Sequence, residues 1–60
     1  MEKEVILCFP KEIQKEVLRD ALKEDQFNVF FVLSKVLLDA PFEKGGMSTE
    51  EIEEIRKEFF

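Results

Sequence analysis

Apolar positions along the chain fall into four blocks, each with its own spacing. The first, "VILCF" at 5–9, is β-branched and aromatic and closes at Pro10. Such a run predicts a short β-strand. From 11 to 25 the apolar residues Ile13, Val17, Leu18, Ala21 and Leu22 recur at helical spacing with charges between them, which predicts a helix with one buried stripe. Pro10 suits the entry to that helix, because a proline in the first turn gives up no helical hydrogen bond. Acid–base pairs three apart (Glu12 with Lys15, Glu16 with Arg19, Asp20 with Lys23) support it further.

The third block, "QFNVFFVLSKVLLDA" at 26–40, admits two readings. As a helix, its polar residues Asn28, Lys35 and Asp39 form one narrow stripe and nearly everything else is apolar. A helix that apolar needs cover on most of its circumference, more than one small amphipathic partner supplies. As a strand, "FNVFFVL" has the right residue types but little alternation, and it would make a β-α-β unit with the preceding helix as crossover. The helical stripe continues through "SKVLL", which favours the helix. Pro41 ends the element, and "FEKGG" at 42–46 reads as a loop.

The fourth block opens on a capping box, Ser48 with Glu51, inside a hydrophobic staple of Met47 and Ile52. Glu50 and Glu51 at its start and Arg56 and Lys57 near its end suit the helix dipole. Ile52, Ile55 and Phe59 form its apolar stripe. The pattern thus predicts an α+β chain, mostly helical, in which a short N-terminal strand is followed by three helices. Residues 1–60 make one small domain, and β-α-β-α is the alternative. A lone strand needs a pairing partner, and a second copy of the chain is the simplest source.

Composition points the same way. Sixty residues lie near the lower limit for a chain that folds alone. Cys8 is the single cysteine and there is no histidine, so neither an internal disulfide nor a common zinc site can staple the fold. Oligomerisation remains. The net charge of −5 disfavours nonspecific attraction to nucleic acid or an anionic membrane. The longest apolar run, "VFFVL" at 29–33, is far too short to span a bilayer. A mixed-charge start and a lone thiol fit the cytoplasm. The Glu/Lys-rich, histidine-free composition also has a thermophile flavour.

Little catalytic chemistry is on offer. His, Tyr and Trp are absent. Cys8, set between Leu7 and Phe9, reads as a packing thiol, since no base can be named to activate it. The acidic "EEIEE" at 50–54 reads as a solvated helix face, because di-metal carboxylate sites pair such glutamates with histidine. Phe27, Phe30, Phe31 and Phe42 have only Lys35 and Lys44 nearby, too little positive charge for a base-stacking surface, and read as core or interface.

"EVILCFPKEIQKEVLRDALKED" followed by a second helix resembles the ribbon-helix-helix family over residues 4–40. The resemblance implies that the strand pairs antiparallel with its copy in a second subunit, and that the second helix lies in an intertwined dimer core. The dimer interface would then include Val5, Leu7, Phe9, Phe30, Phe31, Leu33 and Leu37. The strand positions that face DNA in the family correspond here to Glu4, Ile6 and Cys8, with Lys3 and Lys11 beside them. An acid, an aliphatic chain and a thiol are poorly suited to reading base edges. The turn "KEDQFN" adds two acids where that family anchors phosphate. The favoured expectation is therefore a small acidic homodimeric protein-interaction or regulatory module, without catalytic activity, cofactor or small-molecule substrate, in which Ile6 and Cys8 on the outward strand face, or exposed parts of the second helix, meet a protein partner. A DNA-binding transcriptional regulator is the alternative.

Overall fold

The computed structural model describes residues 3–59, of Lys3 the backbone alone. Three α-helices, α1 (Lys11–Lys23), α2 (Phe27–Asp39) and α3 (Thr49–Lys57), stand where the helical spacing places them. The N-terminal strand does not form. Lys3–Cys8 is a 3-10 helix, and the described residues contain no strand, so the chain is all-helical rather than α+β. The β-α-β-α alternative falls with it, because 27–39 is helical throughout.

The physical reason lies in backbone pairing. A strand satisfies its N–H and C=O groups only against another strand, and the described residues supply none. A 3-10 turn satisfies some of them locally, as where the Phe9 N–H donates to Ile6 O at 3.2 Å. The segment then gains burial by packing on α2, with Ile6 3% exposed in the core.

Helix α1 is central and packs against both α2 and α3. Its inward face holds Gln14, Leu18, Ala21 and Leu22, whereas Ile13 is 46% exposed. The stripe is thus turned by one residue at its start, because position 14 lies one helical turn before Leu18 and position 13 does not. The helix ends in a Schellman arrangement. Gln26 N–H donates to Ala21 O at 2.8 Å, Asp25 N–H donates to Leu22 O at 3.2 Å, and Asp25 takes a left-handed φ of 56° between them.

After α2, Pro41 and a 3-10 turn at Phe42–Lys44 lead into Gly45, whose φ is 97°. A Cβ there would stand 2.3 Å from Leu7 O, so only glycine lets the N-terminal backbone pass this close. The capping box of α3 forms as its spacing predicts, with the Glu51 N–H donating to Ser48 Oγ and the Ser48 N–H donating to Glu51 Oε1. Met47 and Ile52, the staple pair, are both buried and close the core over Leu18, Leu37 and Ile55.

The accessible surface is 4358 Å², within a tenth of the ~4,100 Å² expected of a monomer of this mass. An intertwined subunit would present far more, so the chain closes its core by itself.

Candidate interaction surface

Helix α2 buries Phe30, Ser34 and Leu37 and leaves much of the rest outside. At 100° per residue the exposed residues fall into three strips. Asn28, Lys35 and Asp39 form the central polar strip. Phe27, Phe31 and Leu38 flank it on one side and Val29 and Val32 on the other, all of them exposed. Phe31 is 63% exposed and stands edge-on to the buried Phe30, their ring centroids 5.8 Å apart. Aromatic side chains seldom stay this open on a helix that already has a core to join. Lys35 and Asp39 are the only charged side chains on α2, and they pair with each other at 3.9 Å. The outward face of α2 therefore carries no net charge, its polar strip lying between two exposed apolar flanks.

The residues expected at a dimer interface divide sharply. Phe30 and Leu37 are consumed by the chain's own core, and Leu7 and Leu33 are half-buried against it. Val5, Phe9 and Phe31 remain at the surface. Of the residues expected to meet a partner, Ile6 lies in the core and has no outward face to offer. Cys8 is a free, exposed thiol rather than a packing residue.

The positions matched to DNA contacts are likewise scattered. Glu4 is exposed, Ile6 is buried, and the side chain of Lys3 lies outside the described residues. Lys11 is engaged three ways. Its Nζ donates to Gly46 O at 2.9 Å, lies 3.7 Å from Glu51 Oε1, and stands 4.5 Å from the centroid of the Phe42 ring. It holds the glycine loop against α1 and the start of α3.

One buried residue gave no signal as such in the sequence. Gln14 is 1% exposed, and its Nε2 donates to both Ile6 O and Gly45 O, each at 2.9 Å. A polar residue beside an apolar stripe reads as solvent-facing. Its place one turn before Leu18 was the available clue.

The acidic residues of α3 do structural work or face solvent. Glu51 caps the helix and Glu53 pairs with Arg56. Glu50, Glu53 and Glu54 line a shallow depression with Thr49 and Lys57. Among the described residues no group of three or more acidic or cysteine side chains is placed to hold a metal ion, and no helix is long and apolar enough to cross a membrane. No family model, curated protein or solved structure matches the chain.

Proposed function

We propose that this chain is a small homodimeric protein-interaction module that docks through the outward face of α2. The exposure of Phe31, on a helix whose core side is already filled, carries the reading. Phe27 and Leu38 share its side of the helix at intervals of four and seven residues, so the apolar strip is continuous along the helix.

A second copy of the chain suits this face on electrostatic grounds. Two chains of net charge −5 repel, and the repulsion is least where the contact itself adds no charge. The α2 face, with Lys35 and Asp39 already paired, meets that condition. An interface of ordinary size takes about 800 Å² from each partner, roughly a fifth of this chain's surface. The free Cys8 thiol supports a cytoplasmic, reducing setting.

Light scattering at tens of micromolar tests the proposal. The wild-type chain should give about twice its 7.1 kDa, and Phe31→Glu should give the monomer mass. A wild-type chain that stays monomeric across that range would sink it.

A further inference from the structure

Residues 3–8 combine several features that weaken a segment's hold on its fold. A six-residue 3-10 run exceeds the three or four that its poorly aligned hydrogen bonds usually sustain. Val5 and Ile6 are β-branched and do not favour helical backbone. Ile6 alone is fully buried and Leu7 is half-buried, while Glu4, Val5 and Cys8 lie at the surface. From outside the segment, one side-chain amide ties it down. Gln14 Nε2 spends one N–H on Ile6 O and the other on Gly45 O, and Oε1 of the same amide is buried without a partner. Yet the segment packs on α2, where Ile6 shares the core with Phe30 and Leu37. It therefore covers apolar surface on the helix that carries the docking face.

We propose that residues 3–8 form an internal strap on α2 that opens while the three helices stay folded, and that its release widens the apolar surface α2 offers. The second half of this statement rests on the docking reading of α2; the first half does not. Opening frees one buried side chain, one half-buried side chain and a few short-range hydrogen bonds, far less than unfolding the core. Gln14 sets how often it happens. A partner that prefers the open form draws the strap away in proportion to that preference.

Hydrogen exchange of the full chain, read by NMR across a series of low urea concentrations, tests the strap. The reporter is the Phe9 amide, which donates to Ile6 O. Its exchange should be nearly independent of urea, whereas the Leu22 amide in α1 should follow urea steeply. Gln14→Met should speed Phe9 exchange about tenfold, leave α3 amides unchanged, and raise the binding of anilinonaphthalene sulfonate to exposed apolar surface. Ile6→Val should act in the same direction and replaces Gln14→Met should that variant not fold. Phe31→Glu should keep the Phe9 exchange pattern, so loss of self-association leaves the strap result readable. Equal protection and equal urea dependence for Phe9 and Leu22 would overturn the proposal. So would faster Phe9 exchange with no gain in dye binding.

Discussion

At the scale of single residues, the fold depends on a few backbone positions that side chains cannot share. Gly45 combines a left-handed φ with the close passage of Leu7 O, so Gly45→Ala meets both strain and a backbone clash. Gly45→Ala should cost about 2 kcal/mol or more in urea denaturation, a large share of the stability of so small a domain. Glu51 makes the stability depend on pH. The Ser48 N–H bonded to its carboxylate holds its pKa below the ordinary value of 4.5, burial opposes this, and Lys11 and Lys15 reinforce it. A carboxyl depressed in the folded state contributes stability that is fully present above its unfolded pKa and lost as pH falls through the folded value. The urea midpoint should therefore drop on acidification below about pH 4.5, and Glu51→Gln should drop less steeply. The capping box behind this effect was legible from the Ser48 and Glu51 spacing alone. The Gln14 bridge was not, because its partners are carbonyls at Ile6 and Gly45, and backbone acceptors leave no mark on residue type.

At the scale of elements, spacing proved reliable where a segment satisfies its own hydrogen bonds and failed where it depends on a partner. The three helices are self-contained in this sense, and Ser48, Met47 and Ile52 mark the start of α3 in the sequence. The residues at 5–9 have strand preferences, but a strand is a property of two segments. Without a second one among the described residues, burial of Ile6 on α2 decides the outcome. That choice also reverses which residues face out. Ile6 turns inward and Val5 and Phe9 turn outward, which removes Ile6 from the expected recognition face and leaves Glu4 and Cys8 at the surface. Helix α2 shows the same division within one element. Phe30→Ala, at 2% exposure, should cost about 3–5 kcal/mol, while Phe31→Ala should cost less than about 1 kcal/mol. Chemical denaturation of the two variants side by side measures the contrast. Equal losses would mean that Phe31 belongs to the core.

At the scale of the whole molecule, the chain resolves its small size differently from the way its sequence first suggests. Its surface area is that of a closed monomer, so the self-association proposed above would add to a finished fold and not complete an intertwined one. The surplus of apolar residues that the sequence shows at 26–40 is real, and it is left on the outer flanks of α2. Which apolar residues of α2 stay outside was not legible, since it depends on how α1 and the N-terminal segment share the inner face. Isotope-filtered NMR on a mixture of labelled and unlabelled chain tests this account most directly. It should show contacts between chains from Phe31 and Leu38, and contacts from Ile6 to Phe30 and Leu37 within one chain only. Contacts between Ile6 of one chain and Ile6 of another, or none between chains at millimolar concentration, would contradict it.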